Sequence, residues 1–409
     1  MAYIKRQLQD SVLRLSKQFS VILITGPRQV GKTTMLTELM KSEPEKREYV
    51  TLDDLNERTM AKNDPAMFFQ IHCPPILIDE VQYAPELFPY IKIQVDKTHK
   101  PGDFWLTGSQ LYKLMRGVQE SLAGRVALLN LFSLSQSETE GRNEPPFAVE
   151  LPSLTERKPF VHSAAAPETF GRIWKGSMPA ILSGAVTDRD VFYSGYLSTY
   201  IERDVRELSS TIDSLKFLRF VTAVAARTGQ LLNYKGISDD VDIDQATVKN
   251  WLNILETLGI IFYLHPYSNN VLKRTIKTPK LYFYDTGLVC YLTKWSSPEV
   301  AMNGAMNGAL YENYVISEIV KSFAHNAKTP YLYYYRDKDA KEIDLLIEAD
   351  GKLYPVEIKK TAHPEKRMAA AFSVIDRAPL KRGAGAIICL ANGLSALSSN
   401  ILVIPSWYI

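Results

Sequence analysis

Hydrophobic and polar positions along this chain fall into three successive patterns, and each predicts a different architecture. The first third alternates short, almost wholly apolar runs with longer amphipathic stretches. Val21-Ile22-Leu23-Ile24, Tyr49-Val50-Thr51-Leu52, Ile76-Leu77-Ile78 and Phe104-Trp105-Leu106 are too short for helices and read as strands of a buried parallel sheet. Val126 to Phe132 reads as a further strand. Between the first two runs, Met35, Leu36, Leu39 and Met40 recur at helical spacing. From Gly141 to Pro167 the chain is polar and holds five prolines, which predicts a loop-rich connection or mobile insert. The middle third turns helical. Tyr196 to Val205 predicts an amphipathic helix dense in charge, with Arg203 and Arg206 as candidate nucleotide sensors against the plainer reading of a surface charge network. Phe217 to Val221 opens a helix, Tyr234 to Asp239 a short second one, and Gln245 to Leu258 a third. Asp244 caps the third, Val248, Trp251, Leu252, Leu255 and Leu258 line its apolar face, and Gly259 stops it. Two strands follow, Ile260 to Leu264 and Lys280 to Tyr284. The last third predicts a helix over Leu310 to Phe323, then strands at Leu332–Tyr335, Glu342–Ile347, Leu353–Lys359 and Ala384–Leu390.

Composition changes this picture little. The 409 residues argue for two or three domains, and 46% apolar content suffices for real cores. A net charge of +3 neither demands nor excludes nucleic acid, so any basic surface must be local. Cys73, Cys290 and Cys389 lie far apart without metal-ligand spacing, as expected of reduced thiols in a cytoplasmic protein. The first ten residues lack the apolar core of a signal peptide, and no run approaches the 18 apolar residues of a membrane span, so no membrane partner is expected.

The chemistry starts at Gly26-Pro27-Arg28-Gln29-Val30-Gly31-Lys32-Thr33-Thr34, which fits G-x-x-x-x-G-K-[ST] between a strand and a helix. The glycines let backbone N–H groups converge on phosphate, and the helix adds its positive end. Lys32 would reach the β- and γ-phosphates of ATP, and the Thr33 hydroxyl would hold Mg²⁺. The strand Ile76-Leu77-Ile78 ends in Asp79-Glu80; Asp79 would complete the Mg²⁺ shell and Glu80 would orient or deprotonate the attacking water. A third strand ends in Thr107-Gly108-Ser109-Gln110, which resembles the place where AAA-type ATPases set a polar residue against the γ-phosphate or the water; the resemblance implies Ser109, or Gln110 second, for that role. It likewise implies Arg125, just before the next strand, as a candidate arginine finger, with Arg116 as the alternative.

These three motifs, together with Ser121-Leu122-Ala123-Gly124-Arg125, resemble one prokaryotic group of AAA+ ATPases that carries a C-terminal domain of unknown function. The resemblance covers nearly the whole chain. It implies an ATP-hydrolysing P-loop core and a homo-oligomer, a hexamer being the size considered.

Two further constellations extend the reading. Three helices and a hairpin resemble a winged helix, with Thr247, Lys249 and Asn250 exposed on the third helix and Lys273, Arg274, Lys277 and Lys280 in the hairpin loop and its exit. Such a unit suits DNA, with a helix in the major groove and a wing on the backbone, although winged helices also serve protein contacts. In the last third, a helix with Glu312, a strand with Asp344 and a strand with Glu357-Ile358-Lys359 resemble the restriction-endonuclease-like PD-(D/E)XK fold. The strand period puts Glu357 and Lys359 on one face, with Asp344 alongside on the paired strand thirteen residues earlier. Asp344 and Glu357 would bind Mg²⁺, Glu312 would complete the shell, and Lys359 would activate water.

The expected fold class is α/β: an AAA+ core at 1–140, a linker and helical lid at 141–210, a winged-helix module at 211–290 and a nuclease-like domain at 291–409. The expected function is ATP-driven binding and remodelling of DNA, branched or junction DNA included. The alternative is a nucleotide-dependent switch acting on a protein partner, with the nuclease-like domain non-cutting.

Overall fold

A computed structural model describes residues 3–109, 121–158, 160–201, 213–268, 278–337, 339 and 341–409. Five apolar runs form one parallel sheet. Its strands are β1 (Val21–Thr25), β2 (Glu48–Thr51), β3 (Ile76–Asp79), β4 (Phe104–Gly108) and β5 (Val126–Asn130), in the order β2-β3-β4-β1-β5. Both faces are covered, which is why the runs are apolar without alternation. Val21 and Leu23 join one core with Phe68, Phe88 and Phe104, while Ile22 and Ile24 join the opposite one with Leu36 and Trp105. Because every strand runs the same way, Gly26, Glu80 and Ser109 all emerge at one edge, where parallel sheets place their ligands.

The remaining nine strands make a second, mixed sheet: β6 (Ile261–Pro266), β7 (Lys280–Phe283), β8 (Leu332–Arg336), β9 (Glu342–Ala349), β10 (Lys352–Lys359), β11 (Lys381–Arg382), β12 (Gly385–Cys389), β13 (Ser395–Ser398) and β14 (Ile401–Pro405). Its order is β13-β14-β12-β10-β9-β8-β6-β7, with β11 on β10. The helix Asn307–Ala324 packs Leu310, Tyr311, Val315 and Ile319 into one core with Val356, Ile358, Ala386 and Ile388.

Three helices precede the β6–β7 hairpin: Ser214–Ala225, Tyr234–Val241 and Gln245–Thr257. Asp213, Asn233 and Asp244 cap them with side-chain acceptors. Trp251 meets Phe217 and Phe220 edge-on, each at 5.2 Å between ring centroids. The two strands of the hairpin also belong to the C-terminal sheet. His265 and Pro266 of β6 pair in parallel with Tyr333 and Tyr334 of β8, so β6 and β7 form one edge of the C-terminal sheet.

The proline-rich connection differs from the expected mobile insert. Phe147, Val149 and Leu154 are buried in the large core, and Leu151–Arg157 is helical. Glu144 accepts from Arg142 at 2.6 Å and from Arg157 at 2.8 Å, and these arginines also reach the carbonyls of Ile409 and Tyr408. The prolines and charges that read as loop instead border a buried network of charge-assisted hydrogen bonds, in which Nε alone of the Arg157 guanidinium has no partner among the described residues.

Candidate functional site

The phosphate-binding loop shows its backbone constraints directly. Gly26 has φ +139°, and a Cβ there would lie 2.0 Å from the Leu131 carbonyl oxygen. Gly31, at φ +89°, opens the helix Lys32–Met40. Lys32 Nζ donates to the carbonyls of Gly26 at 3.0 Å and Pro27 at 2.8 Å. Pro27 and Val30 are buried, whereas Gln29 and Thr34 are exposed and Arg28 is half-buried. Thr33 Oγ1 donates to Asp79 Oδ1 at 2.6 Å, so the hydroxyl and carboxylate expected to share Mg²⁺ already touch. Both are hard oxygen donors, and they fit that ion.

Glu80 follows with φ +57°, a left-handed turn that swings its carboxylate off the line of β3. Ser109 Oγ donates to Glu80 Oε2 at 3.3 Å, and Gln82 Nε2 donates to the same oxygen. Thr107 ties the two acids together. Its hydroxyl donates to Asp79 and accepts the Glu80 N–H at 3.1 Å. Tyr49 adds a 3.3 Å bond to the other Asp79 oxygen. Thr107 sits inside a quoted motif and Gln82 lies two residues past the acidic pair, yet their roles emerge only from the paired strands.

A second missed residue grips the loop from behind. Buried Arg6 donates to the carbonyls of Val30 and Phe132, each at 2.7 Å, and to Glu138 Oε1 at 3.1 Å. Glu138 also accepts the Gln7 and Ser135 N–H groups, and its other oxygen lies 3.3 Å from His325 Nδ1 at the end of the long helix. Burial opposes the Glu138 charge, but the Arg6 guanidinium and the hydrogen bonds that the carboxylate accepts outweigh it and hold the carboxyl below its ordinary range.

Arg125 lies at the sheet edge opposite the loop, because its carbonyl accepts from Val21 at the start of β1. It cannot serve its own nucleotide. Its side chain, 35% exposed, forks onto Asp96 at 2.6 and 3.2 Å. Gln110, Arg116, Arg203, Arg206, Lys273, Arg274 and Lys277 lie outside the described residues. Lys249 and Asn250 are exposed on their helix, with Lys249 Nζ 5.2 Å from the Tyr234 ring centroid.

The C-terminal acids converge as the strand period requires. Leu345 faces Val356 across β9 and β10, which sets Asp344 beside Glu357. Asp344 Oδ2 accepts the Ile358 N–H at 2.9 Å and Lys359 Nζ at 3.2 Å. The same Nζ is 2.6 Å from Glu357 Oε1, while the buried Glu357 Oε2 has no hydrogen-bond partner among the described residues. Burial and the Asp344 charge push Glu357 up to about 7. Burial opposes the Lys359 charge, but Asp344 and Glu357 outweigh it and lift that amine to about 12. An orphaned, charge-crowded carboxylate oxygen is what a divalent cation would satisfy, so Asp344 and Glu357 fit one. Among the described residues, however, no group of three or more His, Cys, Asp or Glu side chains is arranged to hold a metal ion.

Glu312 has other neighbours than expected. It accepts from Tyr282 at 2.6 Å and from Lys280 at 3.1 Å, and burial followed by the Asp344 charge raises its pKa. Lys280 corrects the reading of a wing cation: its side chain is 4% exposed and points into the acidic cluster. Antiparallel pairing with β6 turns β7 so that this lysine faces Glu312 and Glu342.

Comparison with known proteins matches the family described as "AAA domain" to residues 18–140, a "Domain of unknown function (DUF8612)" to 168–299 and a "Domain of unknown function (DUF4143)" to 307–409. Uncharacterized protein Rv2008c of Mycobacterium tuberculosis is 30% identical over 404 residues, covering 97% of this chain and 83% of its own length. Uncharacterized protein MJ1637 of Methanocaldococcus jannaschii is 24% identical, covering 72% of this chain and 66% of its own. Among solved structures, the Walker-type ATPase PABY2304 of Pyrococcus abyssi aligns at TM-score 0.43 and 14% identity, over 70% of this chain and 94% of that one. The RuvB Holliday junction branch migration motor of Thermotoga maritima aligns at 0.30 and 15%, over 63% and 85%. Among the described residues, no helix is long and apolar enough to cross a membrane.

Proposed function

This chain belongs to one family with the uncharacterized mycobacterial protein Rv2008c, its AAA domain preceding two domains of unknown function, and from that premise we propose that it hydrolyses ATP to bind and remodel DNA, branched or junction DNA included, with a metal-dependent nuclease site in its C-terminal segment. The observation carrying the ATP half is the contact of Thr33 Oγ1 with Asp79 Oδ1, beside Lys32 and Glu80 at one sheet edge. Mg²⁺ held by Thr33 and Asp79 would supply charge neutralisation across the phosphates. Lys32 exchanges the Gly26 and Pro27 carbonyls for β- and γ-phosphate oxygens. Glu80, held by Ser109 and Gln82, orients the attacking water and takes its proton. Arg125 serves a neighbouring subunit of a homo-oligomer, leaving Asp96 to do so.

The DNA half rests on Asp344, Glu357 and Lys359. Mg²⁺ held by the two carboxylates would supply charge for cleavage of a phosphodiester. Lys359 positions the water, and Glu312 stands behind the pair. The three helices and hairpin act as a winged helix, with Lys249 and Asn250 on its reading helix and Lys273, Arg274 and Lys277 beyond it.

One observation favours a second reading, in which the chain is a nucleotide-dependent switch acting on a protein partner. Lys359 Nζ already bridges Asp344 and Glu357, where a cation would sit. Purified full-length chain decides between the two. The first reading expects DNA to stimulate ATP hydrolysis and Mn²⁺ or Mg²⁺ to support cleavage, lost in Asp344→Ala while DNA binding persists. Neutralising two of Lys249, Lys273, Arg274 and Lys277 should shallow the slope of log affinity against log salt by about 1.8 on duplex DNA. An ATPase indifferent to every DNA shape, without cleavage, overturns the first reading in favour of the second.

A further inference from the structure

We propose that Lys280 is a positioning residue of the C-terminal acidic site, so that this site is built jointly by the middle segment and the C-terminal segment of the chain. The proposal rests on the nuclease reading of that site. The middle family match ends at residue 299 and the C-terminal one starts at 307, so Lys280 and the acids fall in different matched regions. Its geometry is nonetheless that of a shared site. Lys280 Nζ lies 3.1 Å from Glu312 Oε1 and 2.6 Å from Glu342 Oε1, and 5.9 Å from the centroid of the Tyr334 ring. Tyr282, two residues along β7 on the same face, donates to that Glu312 oxygen at 2.6 Å.

The backbone holding Lys280 is fixed on both sides. Leu264 of β6 opposes it on one side, and an isolated antiparallel bridge from Leu231 pairs with it on the other. The Gly229 N–H donates to the Leu281 carbonyl at 2.8 Å, and the Leu281 N–H donates to Gln230 at 3.1 Å. An ammonium held this way sets where two carboxylates point. Lys359 performs the corresponding task for Asp344 and Glu357, so four acids are held by two lysines, one from the edge strand β7 and one from β10 near the middle of the sheet. Lys280 is too enclosed to meet DNA, so its effect must pass through Glu312 and Glu342. Partners that orient ligating carboxylates typically change activity or metal affinity 10–100-fold when removed.

The test uses full-length protein with Lys280→Met, which keeps most of the side-chain length without charge, and Lys280→Arg, which keeps the charge. Mn²⁺-supported DNA cleavage should lose about 10–100-fold in kcat in Lys280→Met, with KM for DNA unchanged and most of the rate restored in Lys280→Arg. Combining Lys280→Met with Glu312→Gln should cost less than the product of the two separate losses, because the two changes share the Glu312 carboxylate. Thermal unfolding of each variant establishes that it is folded. A folded Lys280→Met chain cutting at the wild-type kcat, or losses that multiply in the double variant, overturns the role of Lys280 and leaves the nuclease reading standing. Wild-type protein that cuts no DNA and, with Lys32→Ala removing the nucleotide site, binds no Mn²⁺ by spin resonance overturns both. Should Lys280→Met fail to fold, Lys280→Gln is read in its place: folded and at least tenfold lower in kcat with KM for DNA unchanged supports positioning, and folded at the wild-type kcat, or with only a raised KM, overturns it.

Discussion

The nucleotide site and the C-terminal acidic site both set lysines among oxygens, but they hold them differently. Lys32 donates to two carbonyls of its own loop, and the carboxylates nearby accept from hydroxyls and an amide: Thr33, Thr107, Tyr49, Ser109 and Gln82. Lys280 and Lys359 are committed to carboxylates. A lysine on neutral dipoles gains by moving to phosphate, since a charge-assisted bond is roughly twice as strong as a neutral one. A lysine between two carboxylates moves only if another cation takes its place. The carbonyl contacts of the first can be exchanged for phosphate oxygens; on the nuclease reading, the second would need a divalent cation to take the place of its lysine.

The largest effects should break the first arrangement. Lys32→Ala should abolish ATP binding measured by calorimetry, because the β- and γ-phosphates lose the lysine of the loop. Glu80→Gln should keep binding and lose about 10²–10⁴-fold in hydrolysis, the range for removal of a positioned base. Wild-type turnover in Glu80→Gln would return the role of base to another residue.

Next in size is Arg125. If it serves a neighbouring subunit, Arg125→Ala should lower hydrolysis by about 10³-fold or more. Mixing it with Lys32→Ala protein should recover part of the activity, as intact interfaces form between the two. Asp96→Ala releases the guanidinium instead of removing it and should leave most hydrolysis in place. A chain that is monomeric at full activity would end the finger assignment.

How far the sequence discloses each site follows from where its contacts come from. The phosphate loop and the Asp79-Glu80 pair are legible because the contacts lie within contiguous motifs at strand ends. Asp344, Glu357 and Lys359 are legible because a hairpin of period two leaves few alternatives. Lys280 is hidden because its partner lies 32 residues away on a helix, and because it follows Lys273, Arg274 and Lys277 in what reads as a solvated run. Arg6 is hidden for the same reason, with its acid 132 residues along the chain. Polar prolines at 145, 146 and 152 misled for another: burial of Arg142, Glu144 and Arg157 depends on the C-terminal residues they meet.

The two sites approach each other along the β6–β7 hairpin, and a smaller prediction tests that approach. Gly259, just before β6, has φ +67°, and a Cβ there would lie 2.9 Å from Pro27 Cγ of the phosphate loop. Lys280 opposes Leu264 five residues further along, roughly 17 Å away at strand rise. Gly259→Ala should therefore cost about 1–2 kcal/mol for the left-handed backbone alone. It should also weaken ATP affinity several-fold, because Pro27 must shift. Unchanged ATP affinity in a destabilised protein would mean that the hairpin merely abuts the loop.

The smallest expected effect concerns the opposite support of the loop, where Arg6, Glu138 and His325 meet. His325 is fully buried, and burial holds its pKa below the ordinary value despite the neighbouring Glu138 charge. The imidazole is then neutral in the folded chain, with Nε2 positioned to accept from the Phe132 N–H at 3.4 Å. An unfolded histidine takes up its proton near pH 6.5, so below that value the unfolded state binds more protons than the native one. Stability must fall as pH drops from about 6.5 towards the lower native value, by at most about 1.4 kcal/mol per pH unit. Glu138 contributes in a separate window: its carboxyl is depressed below the ordinary 4.5, so its stabilisation is present above that value and is lost only as pH falls further. Between pH 7 and 5 the histidine acts without it. His325→Gln keeps an acceptor for Phe132 and removes the titration, so the gap in unfolding temperature between wild type and variant should close as pH falls across this range. A gap that widens towards pH 5 would mean that His325 takes up its proton in the folded chain and strengthens its contact with Glu138.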